Sequence, residues 1–164
     1  MGPASEKSLI KSIEEAFADA EYPGHRLEDI APRAYGSDAE LLCAFAGKHW
    51  RNLSAKFLER HRTFEFCFLT PTAFRFYLPA YLIGSIRHPI RSKAWTDMVI
   101  YHLSPPKASG YRDEDALKFW NERIHGLSPE QKYAIRLWFE YLVERETFKP
   151  ELELADYWKL QSSL

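Results

Sequence analysis

The 164-residue chain is predicted to form a single helical domain that spans residues 1–164 and belongs to the all-α class, with at most one short strand pair. Apolar residues recur at intervals of three and four along most of the chain, which is the period of an amphipathic helix. Several of these stretches begin with the helix-start patterns Thr-Pro, Ser-Pro, Ser-x-x-Glu or Ser-x-x-Gln. An apolar content of 46% is high enough to build a core and too high for a disordered chain.

Two helices are predicted before residue 48. The first covers residues 5–21, where the apolar side chains share one face and Ser5 is a suitable N-cap, and the four residues before it are expected to be loose. Residues 22–36 lack any period and are expected to form a loop. SDAE at 37–40 is a capping-box pattern, so a second helix is expected from there to Gly47.

The next segment is less regular. Trp50, Leu53 and Phe57 have helical spacing, whereas FEFCF at 64–68 alternates Phe with Glu and Cys and therefore suits a short strand or an extended piece. A single short strand has no evident partner, so this segment leaves the all-α prediction unchanged.

The most apolar stretch, TPTAFRFYLPAYLIGSI at 70–86, is predicted to be a buried central helix. Thr70 is a suitable cap, Pro71 suits the first helical position, and apolar side chains cover both faces. Pro79 cannot donate to the carbonyl of Arg75 and clashes with it, so a kink or break is expected there. Its cost of about 3 kcal/mol must be offset by packing of the aromatic side chains.

The C-terminal half is predicted to hold further helices. RHPIRSK at 87–93 is typical of a basic turn, and 94–103 fits a helix, although its VIY segment also suits a strand. Residues 104–113 are the most loop-like. Helices are then expected at 114–125, with Leu117 inward, at the SPEQ start of residue 128, and within 150–164.

Ten large side chains are expected to form most of the core. They are Phe17, Trp50, Phe57, Phe74, Leu78, Leu82, Trp120, Trp138, Phe139 and Leu142. Cys43 and Cys67, the only cysteines, do not make a disulfide framework and are expected to be reduced and buried in a cytoplasmic protein.

Charge is distributed unevenly along the chain. Residues 1–47 carry four basic and nine acidic side chains, residues 48–93 carry nine basic and two acidic, and residues 94–164 carry nine basic and twelve acidic. A basic middle between acidic flanks therefore underlies the net charge of −1. No apolar run is long enough to span a bilayer, and no signal peptide is evident, so we expect no membrane association.

Several phrases together resemble a small family of uncharacterised bacterial proteins, a domain of unknown function. They are AFADAEYPG (16–24), FAGKHWRNLSAKFLERH (45–61), FLTPTAFRFYLPAYL (68–82), YHLSPP (101–106) and LSPEQKYAIRLWFEYL (127–142). The resemblance implies a single bacterial domain of the cytosol. It implies no activity, no cofactor and no catalytic residue.

Patterns for catalysis or metal binding are weak. The six histidines form no HxxxH or HExxH pair, neither cysteine lies in a CxxC motif, and the nearest approach is His25 with Glu28 and Asp29 in a loop. No glycine-rich phosphate loop or GxSxG motif is present. We therefore expect no cofactor, no metal and no catalytic residue, although an enzyme with a dispersed Arg, His and Tyr site stays open.

The function predicted best is binding, through basic residues of the middle segment. The candidate binding residues are Arg60, Arg75, Arg87, Arg91 and Lys93, and the expected partner is a protein with an acidic surface. An immunity-type protein that neutralises a toxin by covering it is one concrete version. Nucleic acid is the alternative partner of the basic band, although the sequence pI of about 6.6 and the absence of a recognisable binding module weigh against it.

Arg75 is the only charged residue of the stretch 70–86, which is predicted to form a helix with two apolar faces. A buried guanidinium cannot be left dry and unpaired, so it must reach solvent, a carboxylate or free carbonyls. We expect it to be at least half buried, with its head group held by Glu65 or by an acid from residues 1–47. The alternative is an arginine that faces a ligand at the mouth of a pocket.

Overall fold

The computed structural model describes residues 3–62, 64–106, 114–145 and 152–161. Over these ranges it contains nine α-helices, three short 3-10 helices and no strand, so the all-α prediction is confirmed. The α-helices are α1 (Pro3–Ala16), α2 (Leu27–Ile30), α3 (Gly36–Leu42), α4 (Ala55–Arg60), α5 (Pro71–Arg87), α6 (Lys93–Leu103), α7 (Glu114–His125), α8 (Pro129–Glu144) and α9 (Leu152–Gln161).

The chain divides into two compact units. The first unit joins Met1–Asp19 to Leu127–Leu164, and the second unit is Ala20–Gly126. No helix within the described ranges is both long and apolar enough to cross a membrane.

In the first unit, α8 packs against both α1 and α9. Helix α8 begins as predicted, because the Gln131 amide donates to Ser128 Oγ at 3.2 Å and the Ser128 amide donates to Gln131 Oε1 at 3.1 Å. Phe17, Trp138 and Phe139 are fully buried, and the Phe139 and Trp158 rings stack with centroids 6.3 Å apart. This aromatic core holds the three helices together.

In the second unit, α5 is the central helix, as predicted. Thirteen of its seventeen residues are buried, and α2, α4, α6 and α7 all pack against it. The Ala73 amide donates to Thr70 Oγ1 at 3.2 Å, which confirms the predicted cap. Of the kink or break expected at the buried Pro79, the break does not occur, because the helix continues through this residue, and the kink stays a prediction. Packing on every side supplies the stabilisation that offsets the lost hydrogen bond.

Two tyrosines of α5 tie the helix to the irregular segments around it. The Tyr77 hydroxyl donates to the Phe45 carbonyl at 2.9 Å, and the Tyr81 hydroxyl donates to the His61 carbonyl at 2.8 Å. Burial raises the pKa of Tyr77 well above its usual range, so its hydroxyl stays a donor. The carbonyls of short helices are thereby paired inside the fold.

Several element boundaries differ from the predictions. Helix α1 begins at Pro3 and ends at Ala16, so Pro3 is already helical and Ser5 is not a cap. The predicted loop 22–36 contains the short helix α2. Helix α3 begins at Gly36, one residue before Ser37, and Tyr35 occupies its N-cap position, so Ser37 does not form the predicted capping box. Of the predicted loop 104–113, Ser104–Pro106 are non-helical and the remainder lies outside the described residues.

The predicted strand at 64–68 is a 3-10 helix, Phe64–Phe68. A strand needs a neighbour for its backbone groups, whereas here the carbonyls of Phe66 and Cys67 accept hydrogen bonds from the Arg123 side chain. The alternation of Phe residues was therefore a misleading signal.

Nine of the ten predicted core residues are buried, and Phe57 is partly exposed. Leu117 was expected to face inward but is 47% exposed, because the inward stripe of α7 is formed by Trp120, Arg123 and Ile124. Both cysteines are free, as expected, but Cys43 is exposed and Cys67 is partly exposed. Cys67 is therefore only partly covered, although its neighbour Phe66 is fully buried.

Candidate functional site

Four of the five candidate binding residues lie around one turn of the second unit. Arg60 ends α4, Arg87 ends α5, and Arg91 and Lys93 lie in the turn 88–92 and at the start of α6. All four are exposed. We call these four residues the basic surface.

Helix packing explains why the four residues come together. Helix α4 packs against α5 and α6, and the Arg91 guanidinium donates to Glu59 Oε2 at 2.6 Å. A Cβ added to Gly84 would lie only 2.6 Å from Leu58 Cδ1 and 3.4 Å from the Trp95 ring. Glycine at this position therefore permits the close approach of all three helices.

The turn 88–92 is held by main-chain hydrogen bonds. The His88 amide donates to the Gly84 carbonyl at 3.0 Å, and the Ser92 amide donates to the His88 carbonyl at 2.9 Å. Ser92 is fully buried, and its hydroxyl donates to the Pro89 carbonyl at 3.3 Å. At the tip of this turn, Ile90 is 94% exposed. An apolar side chain is thus presented to solvent by an ordered backbone, between basic neighbours.

Arg75 does not belong to the basic surface. It lies twelve residues before Arg87 on the same helix, which corresponds to about 18 Å along the helix axis. Its Nη1 donates to the Glu122 carbonyl at 3.0 Å and to the Arg123 carbonyl at 3.4 Å. Both carbonyls belong to the last turn of α7, where the carbonyls of a helix have no amide donors of their own.

Two backbone carbonyls therefore hold the Arg75 guanidinium, and such carbonyls are one of the three kinds of partner expected for it. Its guanidinium caps the C-terminus of α7, which is the negative end of the helix dipole. Burial lowers the pKa of Arg75, and the charge of Glu21, one of the acids before residue 48, opposes that shift. The side chain of Glu65 lies outside the described part of the chain. A Cβ on Gly126 would overlap the Arg75 guanidinium, so this glycine makes room for the cap.

Arg123 is a buried cation that was not predicted. It is 1% exposed, and its Nη2 donates to the carbonyls of Phe66 at 2.6 Å and Leu69 at 3.0 Å. Its guanidinium also lies over the rings of Phe119 and Phe74, at 3.9 and 4.7 Å from their centroids. Burial lowers the pKa of Arg123 to about 10, which still leaves it charged at neutral pH. The sequence did contain an indication that Arg123 is buried, because this residue lies between Trp120 and Ile124 on the inward face of α7.

His102 completes this buried cluster from α6. Arg123 Nη1 lies 3.2 Å from His102 Nδ1, and a guanidinium carries only donors, so Nδ1 is the acceptor and the proton lies on Nε2. Burial and the charge of Arg123 lower the pKa of His102 to about 3. Arg123 and His102 together connect α5, α6, α7 and the 3-10 segment, so Arg123 stabilises the fold.

The first unit contains a separate groove of about 780 Å³ between α1 and the start of α8. Glu15, Asp19 and Glu130 are exposed on its rim, and Tyr133 is 48% exposed. The complete lining is Ser12, Glu15, Ala16, Asp19, Ser128, Pro129, Glu130, Gln131, Tyr133 and Ala134. The sequence signals for this groove are weak because its two walls are more than one hundred residues apart in the chain.

Among the described residues, no three His, Cys, Asp or Glu side chains lie close enough together to hold a metal ion. His25, which was considered with Glu28 and Asp29, instead lies within 3.4 Å of the Tyr22 hydroxyl through Nδ1. Asp29 is engaged by the Arg26 guanidinium, which holds the pKa of that carboxyl below its usual value.

A protein-family model described as a family of unknown function (DUF6714) matches residues 5–162. The match covers nearly the whole chain, so the chain belongs to this family. The resemblance drawn from the sequence phrases is confirmed to that extent. No curated protein and no solved structure matches the chain.

Proposed function

We propose that this protein is a bacterial, cytoplasmic binding domain that docks an acidic protein partner on its basic surface. The observation that carries the proposal is the group of four exposed cations around an ordered turn tipped by Ile90. An immunity-type protein that covers a toxin is one version of this function, since complementary charge speeds such association.

The electrostatics of the surface support a role in binding. Arg91 pairs with Glu59, but both side chains are substantially exposed, at 55% and 38%. An exposed ion pair stabilises a fold by about 0–1 kcal/mol, so a carboxylate of a partner can replace Glu59 at little cost. The side chains of Arg60, Arg87 and Lys93 are exposed, whereas Arg123 is 1% exposed.

Ile90 favours a protein partner over nucleic acid. An apolar anchor ringed by cations suits an apolar pocket with an acidic rim, since desolvated anchors contribute most of the energy of protein interfaces. A phosphate backbone offers no such pocket and is bound chiefly through charge. The ordered turn also lowers the entropic cost of presenting the anchor.

Binding to poly-L-glutamate, measured by fluorescence titration with a labelled protein, tests the proposal. The charge reversals Arg87→Glu/Lys93→Glu are expected to weaken binding at least about 10-fold at low salt. The matched control Arg33→Glu/Lys118→Glu changes the same number of exposed charges elsewhere in the second unit and is expected to weaken it less than about 3-fold. An equal loss of affinity for poly-L-glutamate in the two variants would show that the basic surface is not the binding site. Tighter binding to a DNA duplex than to poly-L-glutamate would favour nucleic acid instead.

A further inference from the structure

The groove of the first unit has no part in the function proposed above. The groove is concave, and its lining includes the apolar side chains of Ala16, Pro129 and Ala134. Its rim carries three carboxylates, those of Glu15, Asp19 and Glu130. The two units also differ in charge: the first carries seven basic and eleven acidic side chains, and the second carries fifteen basic and twelve acidic.

The turn 88–92 is complementary to this groove in each respect. The turn is a short reversal between two helices, with the apolar side chain of Ile90 at its tip. Arg87, Arg91 and Lys93 flank that tip with positive charge. A projecting apolar residue with basic flanks therefore matches a recess with apolar lining and an acidic rim, and both are carried by the same chain.

We propose that the groove of one copy binds the turn 88–92 of a second copy. Ile90 enters the groove beside Ala16 and Ala134, and the flanking cations meet Glu15 and Asp19. This contact shares the basic surface with the proposed function, but it needs no other protein. A low net charge, −1 for the whole chain, does not oppose association of copies.

The geometry makes this contact heterologous, because the two surfaces that meet are different. A five-residue turn in one groove gives an interface at the small end of the known range, so the association is weak, with Kd on the order of 100 µM. Charge contributes much of it, so it weakens as salt shortens the screening length.

Sedimentation velocity of the full chain tests the contact directly. At about 300 µM protein and about 20 mM NaCl, species heavier than the 19.2 kDa monomer are expected, and at about 500 mM NaCl the chain is expected to be monomeric. A chain that stays monomeric at low salt overturns self-association. If that monomer still binds poly-L-glutamate, the proposed function stands without self-association. If the chain associates but does not bind poly-L-glutamate, self-association stands and the proposed function fails.

Two variants identify the surfaces. The groove variant Glu15→Lys/Asp19→Lys and the turn variant Ile90→Asp/Lys93→Glu are each expected to be monomeric at low salt. The control Glu144→Lys/Asp156→Lys, which changes exposed acids elsewhere in the first unit, is expected to associate as the wild type does. Circular dichroism of each variant verifies that it is folded.

Mixing the two monomeric variants gives the sharpest result. Each keeps one intact surface: the turn variant keeps the groove, and the groove variant keeps the turn. A heterologous contact therefore predicts that the equimolar mixture forms a dimer. A mixture that remains monomeric, or variants that associate on their own, would overturn the proposal.

Discussion

The two ends of α5 hold arginines in opposite surroundings. At the C-terminal end, Arg87 is exposed, and so is Arg91 in the turn that follows, which forms a surface ion pair with Glu59. At the N-terminal end, Arg75 caps the carbonyls of α7, and Arg123 from α7 is 1% exposed among carbonyls and aromatic rings. The same residue type therefore serves two purposes. A buried guanidinium is committed to the fold because its hydrogen-bond partners replace water, whereas an exposed one stays accessible from solvent.

Removing the buried cation gives the largest expected loss of stability. Arg123→Met leaves the carbonyls of Phe66 and Leu69 without their donor, and it empties the space over the Phe119 ring. We expect the free energy of unfolding to fall by about 3–5 kcal/mol in urea titrations. Lys118→Met, at an exposed position of the same helix, is the control and is expected to change it by less than about 0.5 kcal/mol. A loss of unfolding free energy below about 1 kcal/mol for Arg123→Met would show that burial of this arginine does not make it important for stability.

The pH dependence of stability sharpens the same contrast. His102 has a folded-state pKa of about 3 beside Arg123, whereas an unfolded histidine titrates near about 6.5. Between these values the unfolded chain binds a proton that the folded chain does not, so stability is lost as the pH falls below about 6.5. From pH 7 to about pH 4.5 this one group is expected to lower the free energy of unfolding by about 2–3 kcal/mol.

Denaturant titrations of His102→Gln over the same pH range measure that contribution. Glutamine still offers an acceptor to Arg123 but does not titrate, so the variant is expected to lose less stability on acidification than the wild type. His125→Gln, at an exposed position, is the matched control and is expected to keep the wild-type slope. An unchanged slope in His102→Gln would contradict the buried, neutral imidazole.

The cap on α7 gives an intermediate effect. Arg75→Met removes the hydrogen bonds to the Glu122 and Arg123 carbonyls while keeping the aliphatic stem. Because Arg75 is only partly buried, we expect a loss of about 1–2 kcal/mol in unfolding free energy, smaller than for Arg123→Met. Thermal melts of Arg75→Met and Arg123→Met under the same conditions show which variant loses more stability. A larger loss for Arg75→Met than for Arg123→Met would reverse the ranking by burial.

Sequence patterns predicted the helices whose signals are local. Helix α8 begins at Pro129 because Ser128 and Gln131 cap it, and α7 covers the predicted range. The predicted start of α3 was wrong: the helix begins at Gly36 after Tyr35, and the Ser-x-x-Glu pattern at residues 37–40 is only one local signal for a helix start. At 64–68 the alternation of Phe was read as a strand, although the side chain that pairs its carbonyls lies more than fifty residues later.

The candidate site was predictable only in part, for a related reason. Arg60, Arg87, Arg91 and Lys93 are exposed, as is usual for basic residues at helix ends, and their role in binding stays a prediction. Arg75 was placed with them on charge alone, whereas its acceptors lie 47 and 48 residues away. The groove depends on α1 packing against α8, which are separated by most of the chain.

Changes to the basic surface are expected to have the smallest effect on stability, so they separate a role in binding from a role in folding. The same samples of Arg87→Glu/Lys93→Glu are measured by urea denaturation and by titration with poly-L-glutamate. We expect the free energy of unfolding to change by less than about 1 kcal/mol and binding to weaken at least about 10-fold. A strong loss of stability with unchanged binding would contradict this expectation, because the exposed cations would then serve the fold and not a partner.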